Sequence, residues 1–293
     1  MKHREPKLEV AIPSSTISVE QGEELRAYKI GVIGRLAAVF RVSTIHLYND
    51  EPSLAGITRK TKKLLEYMLV APYLRRHVFP QDPDLSYAGV LPPLQLATHG
   101  VKGPREGEVR QALLLSVKRG RIRLEAGLQT PLELESSRTL VESSTFMVVA
   151  SKRIVHVLLE SINPLRARLV SLEELARKGL YTGYVVNVHS SLLSLLRSTR
   201  GKCLVIATSR YGKPVAEASL DTITANASCI LIVFGGPRRG LYDIAGVEGF
   251  RLEDYADLIL NTIPSQGVLV VRTEEALAAT LAILNLARLK ART

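Results

Sequence analysis

Three loops in the second half of this 293-residue chain carry the residue types that ligand chemistry needs. They are IATSRYGKP at 206–214, FGGPRRGL at 234–241 and NTIPSQG at 261–267. Each follows an apolar run that reads as a β-strand. In parallel α/β sheets, ligands bind at the carboxyl ends of strands, so the three loops predict one shared pocket. Gly235 and Gly236 would let the backbone come close to a ligand there. The spacing GxxxxGK[ST] of a phosphate-binding loop is missing, as is any GxGxxG, which argues against a different nucleotide-binding enzyme.

The stretch from Asp257 to Asn285 compresses the most signals. Asp257 to Asn261 reads as a strand end, Thr262 to Gly267 as a Pro/Gly loop, and Val268 to Val271 as a second apolar run. Thr273 then stands as an N-cap, with Glu274 and Glu275 in the first turn, where they suit the positive end of the helix dipole. Leu277, Leu281 and Leu284 repeat at helical spacing. A loop entering a capped helix suits ligand binding, because backbone N–H groups point outward there. On pattern alone the segment is equally an ordinary α/β turn.

Acid–base machinery is not visible. His3, His46, His77, His99, His156 and His189 are scattered, and none has the spacing of a metal site or a hydrolase triad. Ser190 and Ser191, after His189, read as helix-capping residues. Cys203 and Cys229 lie in apolar contexts without a CxxC partner or a nearby His at zinc spacing, and read as buried reduced thiols. No metal is expected. Chemistry that needs mainly positioning, with the reactivity supplied by a cofactor, fits this inventory.

The elements that must position these loops fall into three textures. From Leu8 to Tyr48 the pattern is strand, helix through Glu24 to Phe40, then strand. Leu25, Val32, Leu36 and Phe40 mark the apolar stripe of that helix. A second helix, Ile57 to Leu69, carries RKTKK at 59–63. From Gln95 to Lys178 the chain reads as short β segments (QALLLSV, RIRLEA, TFMVVAS, IVHVLLES) parted by Gly, Pro and Ser, which indicates a small barrel or sandwich. From Tyr181 onward apolar strands and helices alternate again, implying a mostly parallel sheet covered on both faces. The simplest assembly is one α/β domain built from residues 1–94 and 179–293, with 95–178 inserted as a β-barrel.

The formal net charge is +11 and the pI about 9.7, a balance that favours nucleic acid or another polyanion as partner. The inserted region holds 14 Lys/Arg against 9 Asp/Glu. Its section from His99 to Leu124, with Lys102, Arg105, Lys118, Arg119 and Arg121, reads as a phosphate-tracking surface or a solvated rim. Aromatics make up 5% with no Trp, which disfavours a platform of many stacked rings. No N-terminal apolar segment and no apolar run near the ~20 residues of a membrane span is present, so a cytoplasmic protein without membrane contact is expected.

FGGPRRGL at 234–241 followed by NTIPSQGVLVVRTEEALAATLAIL at 261–284 resembles the cofactor signature of the SPOUT superfamily of RNA methyltransferases. The archaeal and eukaryotic branch with an inserted OB-like β-barrel is the nearest match. Its other marks are GRLAAVFRVSTIHLY at 34–48, PYLRRHVFP at 72–80, LSYAGVLPPL at 85–94, YTGYVVNV at 181–188 and IATSRYGKPVA at 206–216. The resemblance covers nearly the whole chain except the insert. It implies a Rossmann-like α/β domain with a C-terminal trefoil knot, working as a homodimer. It also implies S-adenosylmethionine among the knot loops, with Thr208, Gly235 and Gly236 on one side. Asn261, Ile263, Gly267, Val268, Thr273 and Ala276 would line the other. Arg35 is the implied substrate-handling residue, reaching the RNA from a second subunit, with a helix-surface ion pair as its plainer role. Arg238 and Arg239 could hold a phosphate beside the methyl donor.

The expected activity is therefore methyl transfer to a base of ribosomal RNA, with a uridine ring nitrogen as acceptor. The alternative is a non-catalytic RNA-binding or ribosome-assembly factor that retains the cofactor fold.

Overall fold

The computed structural model describes residues 6–100, 102–135 and 147–290. The chain divides into two compact units. One comprises Met1–Leu65, Tyr87–Pro92 and Tyr184–Thr293, the other Glu66–Ser86 and Pro93–Gly183.

The first unit is built on a six-stranded parallel sheet of β1 (Lys7–Pro13), β2 (Thr44–Tyr48), β9 (Val185–His189), β10 (Leu204–Pro214), β11 (Cys229–Val233) and β12 (Leu258–Asn261), in spatial order β12-β10-β11-β1-β2-β9. The chain builds β1, β2 and β9 outward, then crosses back so that β11 slots between β10 and β1. All five residues of β11 are buried, which is why CILIV shows no polar alternation. On one face Ala11, Tyr48, Val205 and Leu231 pack with Leu195 and Leu196 of the helix Leu192–Thr199 and with Leu241 and Ile244 of the helix Leu241–Val247. On the other, Ile12 and Leu47 meet Ile30 and Ile33 of the helix Glu23–Val39.

That helix corrects the stripe read from sequence. Its buried face is Ala27, Lys29, Ile30, Gly31, Ile33, Gly34 and Ala37, whereas Leu25 is 53% exposed and Leu36 and Phe40 are only partly buried. Charged residues (Glu23, Glu24, Arg26, Lys29, Arg35) fall around the helix among apolar ones, so periodicity alone could not select a face. Small residues decide it: Gly31 lies so close under Pro92 that a Cβ would collide. The buried ammonium of Lys29 is held by Glu20 at 3.0 Å and by Glu274 at 3.2 Å. Glu274 belongs to the helix Thr273–Lys290, so this ion pair joins the beginning and end of the unit.

Three further expectations change. Val268 to Val271 is not a strand but irregular loop, with Leu269 90% exposed. The run is apolar enough for a strand, yet it pairs with no strand of the sheet, and β12 already ends at Asn261. Thr273 is not the N-cap of its helix. Arg272 takes that place, its N–H donating to the Glu275 carboxylate at 2.9 Å as in a capping box. Thr273 is the first helical residue, and its buried hydroxyl meets that of Thr16 at 3.1 Å. Finally, Cys203 and Cys229 are not free thiols; they form a disulfide with Cα atoms 4.4 Å apart. Cys203 precedes β10 and Cys229 opens the neighbouring β11, a proximity that 26 residues of separation conceals. Ser191 does cap its helix, accepting from the Ser194 N–H at 3.1 Å.

The second unit carries an antiparallel sheet of β3 (Val109–Lys118), β4 (Arg121–Glu125), β5 (Leu132–Glu135), β6 (Met147–Val149), β7 (Lys152–Ile162) and β8 (Leu165–Val170). The order is β5-β4-β3-β7-β6, with β8 also on β7. Ala112, Ile122, Leu124, Val155 and Val157 form one core. Leu113, Val149 and Ile154 form another with Val70, Ala71, Leu74, Val78 and Phe79, so the stretch after the helix Ala55–Leu69 packs with these strands. Among the described residues of this unit β5 and β8 are not paired.

Candidate active site

The three loops read as ligand-binding do converge. Thr208, Gly235, Gly236, Asn261, Ile263, Thr273 and Ala276 line one cleft of about 400 Å³, although the segment 206–214 is not a loop but the irregular second half of β10, and only the other two segments lie beyond strand ends. Arg210, Tyr211, Arg238 and Tyr242 line it as well. Gly267 and Val268 do not, although their neighbours Gln266 and Leu269 do.

Local hydrogen bonds explain how each wall is held. The Thr208 hydroxyl donates to the Val233 carbonyl at 3.0 Å, fastening β10 to β11 where their pairing ends and β11 gives way to its loop. Asn261 ends β12 with an Asx turn: its carboxamide oxygen accepts from Ile263 N–H at 3.1 Å, and its amide donates to the Arg210 carbonyl at 3.1 Å. Thr262 and Thr280 join hydroxyls at 2.8 Å, docking the loop on the last helix. Across the cleft the fully buried Tyr48 donates its hydroxyl to the Phe234 carbonyl at 2.6 Å; burial pushes this phenol well above its ordinary pKa, so it remains a donor. The next residues, Gly235 and Gly236, turn tightly, with Gly236 N–H bonded to the Arg239 carbonyl at 2.9 Å. A Cβ on Gly236 would stand 2.5 Å from Ser15 Oγ and 3.2 Å from Asp50 Oδ2. The loop needs glycine because its backbone runs against that pair.

A pocket of this volume suits a nucleoside-sized ligand. Its walls combine exposed backbone at the two glycines, hydroxyl and carboxamide groups, and the aliphatic side chains of Ile263, Leu269 and Val270. That donor set fits an adenosyl group carrying an amino-acid tail.

The basic candidates separate. Arg238 lines the cleft, but Arg239 turns away, donating to the Asp50 carbonyl at 3.0 Å and pairing with Glu51 at 3.2 Å. Arg35 is exposed on the helix Glu23–Val39 and is not part of the cleft within one chain. In the second unit Lys118, Arg119 and Arg121 are exposed at the tip of the β3–β4 hairpin, where Lys118 pairs with Arg121. Arg119 and Gly120 both adopt positive φ there. Lys102 and Arg105 are exposed in the segment leading to β3.

A family described as "Putative RNA methyltransferase" matches residues 7–284, a span that contains every wall of the cleft. The chain belongs to this family. It is 30% identical to the human 28S rRNA (uridine-N(3))-methyltransferase over 95% of this chain and 77% of that protein. It is 29% identical to the Drosophila melanogaster enzyme of the same name over 95% of this chain and 61% of that one. An uncharacterized protein of Halobacterium salinarum is 33% identical over 94% of this chain and 98% of its own length.

Sequence reasoning missed one polar array. On the sheet face that carries Ala11, Glu9, His46 and His189 stand in a row across β1, β2 and β9. His46 Nε2 lies 2.8 Å from the Glu9 carboxylate, and His46 Nδ1 lies 2.9 Å from His189 Nε2. A carboxylate only accepts, so His46 Nε2–H donates to Glu9, and a single proton bridges His46 Nδ1 and His189 Nε2. Burial, followed by the neighbouring His46, pushes His189 down to about 4. The Glu9 carboxylate also lies beside the disulfide sulfurs. No sequence signal pointed to this array, because its members meet only through strand order.

Proposed function

We propose that this protein transfers a methyl group from S-adenosylmethionine to the N3 atom of a uridine in ribosomal RNA. Seven of the nine residues expected to hold the cofactor line a single cleft, and this convergence carries the reading. The named activity of the human and Drosophila relatives supports the choice of acceptor. The cofactor would supply a sulfonium-activated methyl group. The chain's part is then to orient the base, exclude water and favour loss of the N3 proton as the N–C bond forms. The Arg238 guanidinium at the cleft favours the deprotonated, anionic form of the ring. The hairpin tip with Lys118, Arg119 and Arg121 would track RNA phosphates, as a basic module formed by residues 95–178.

Two structural features belong to the same proposal. One is a trefoil knot, supported by the insertion of β11 between β10 and β1 and by the pairing of Thr273 with Thr16. The other is a homodimer. Leu25, Tyr28 and Val39 are 53–59% exposed on the helix Glu23–Val39, an apolar face that a second copy would cover, bringing Arg35 toward a partner's cleft. Light scattering should then give twice the chain mass, and a monomer at micromolar concentration would remove this part.

The function is tested by calorimetry with S-adenosylmethionine and by mass spectrometry of ribosomal RNA nucleosides from cells with and without the protein. Micromolar cofactor binding and a 3-methyluridine that disappears with the protein are expected. Binding without any lost modification would favour the non-catalytic assembly factor; no binding would refute the methyltransferase reading.

A further inference from the structure

The edge of the sheet beside the cleft contains an irregularity that neither the parallel sheet nor the cofactor walls require. Strand β10 pairs with β12 in register up to Thr208 opposite Leu260, and then Lys213 stands opposite the same Leu260. Residues 209–212 are thus extruded from the ladder. Bulges of this kind re-aim side chains and are enriched beside active sites.

The extruded segment is held firmly. Gly212 passes so close to β12 that a Cβ would stand 2.7 Å from the Ile259 carbonyl oxygen. That oxygen belongs to the backbone and cannot yield, so only glycine fits. The Arg210 carbonyl accepts from the Asn261 amide at 3.1 Å, and Tyr211 N–H donates to Ser209 Oγ at 3.2 Å. The result is that Tyr211 projects outward with 73% of its surface exposed, while still lining the cleft. The Arg210 guanidinium lies 4.8 Å from the centre of the Tyr211 ring and covers one face of it. In a chain with no Trp and 5% aromatics, a ring spent on solvent at the mouth of the cleft has no role in the core.

We propose that Tyr211, backed by Arg210, is a stacking site for one unpaired base of the RNA substrate. The geometry meets three requirements. The cationic partner fixes the ring plane on one side and leaves the other open. An aromatic face accepts an unstacked base, which is how RNA is read where its bases are splayed out. The shared cleft places that base beside Thr208 and Asn261, among the groups assigned to the methyl donor. The identity of the ligand rests on the methyltransferase reading; the stacking itself does not.

The test uses the full-length protein and an oligouridylate with a single 2-aminopurine, whose fluorescence is quenched by stacking. The wild type should quench it. Tyr211→Ala should lose the quenching and raise Kd on the order of 10- to 100-fold, as expected for loss of one base–aromatic stack. Tyr211→Phe should restore both. Because the side chain is exposed, thermal unfolding of Tyr211→Ala should match the wild type, separating lost contact from lost fold. Unquenched fluorescence with the wild type, or equal Kd for wild type and Tyr211→Ala, overturns the proposal. Failure of the wild type to bind S-adenosylmethionine would instead refute the methyltransferase reading, leaving the stacking result interpretable on its own.

Discussion

Replacing Lys29 by methionine is expected to destabilise the protein by about 3 kcal/mol, because removing one member of a buried ion pair leaves the other charges without compensation. The Lys29 side chain is 7% exposed and serves two carboxylates, Glu20 and Glu274, which are 24% and 16% exposed. Methionine fills the aliphatic volume of the stem, so the loss would reflect charge rather than packing. Urea denaturation followed by circular dichroism reads the change as a lower midpoint with an unchanged slope. The triple variant Lys29→Met, Glu20→Gln, Glu274→Gln should regain much of the loss, since the uncompensated carboxylates are then gone. A single variant as stable as the wild type would show that the ion pair contributes nothing net. Glu274 stands in the first turn of the helix that brings Thr273 and Ala276 to the cleft, so the same substitution should also weaken cofactor binding.

The second large effect is acid lability of the antiparallel unit. His99 and His156 are 2% and 0% exposed. Burial pushes each down to about 4 from an ordinary value of 6.5, with Leu69's carbonyl partly opposing for His99 and His99 adding to the shift for His156. His99 donates through Nε2 to the Leu69 carbonyl at 3.0 Å, which Gln111 shares at 2.9 Å. Among the described residues, neither ring nitrogen of His156 has a hydrogen-bond partner. Between pH 6.5 and 4 the unfolded chain binds more protons than the folded one, so stability rises with pH across that window. It is complete above 6.5 and lost as pH falls to 4, by on the order of 3 kcal/mol for each histidine. Urea midpoints from pH 7 to 4 should fall accordingly. His156→Phe should flatten the profile, because phenylalanine fills the site without a group to protonate. A profile as steep in that variant as in the wild type would place the acid sensitivity elsewhere.

The strands were legible where residue type and burial agree. TIHLY folds as Thr44–Tyr48, and the apolar run at 228–234 gives β11, because a central parallel strand must be apolar on both faces. The same rule misled at Val268 to Val271, an apolar segment left exposed in a loop. Helix faces were less legible: charged and apolar residues mix on every side of Glu23–Val39, and the buried side follows Gly31, Gly34 and a buried lysine rather than the leucines. At the site, Gly235, Gly236 and Asn261 were recognisable because tight turns and Asx turns have local signatures. Tyr211 was not, since its exposure depends on a bulge set by a neighbouring strand. The Glu9–His46–His189 row and the Cys203–Cys229 bond depend on which strands lie side by side, and one sequence does not state that order.

The place of β1 has a consequence for how the protein is made. Its register joins Lys7 to Cys229, so this strand leaves the ribosome and waits for a partner 222 residues later. At translation rates of 5–20 residues per second that delay is roughly 10 to 45 seconds. The antiparallel strands, whose partners are all close by in sequence, can assemble during this interval. The parallel sheet closes only once β11 arrives, and until then its apolar first strand has an open edge for chaperones or aggregation to claim.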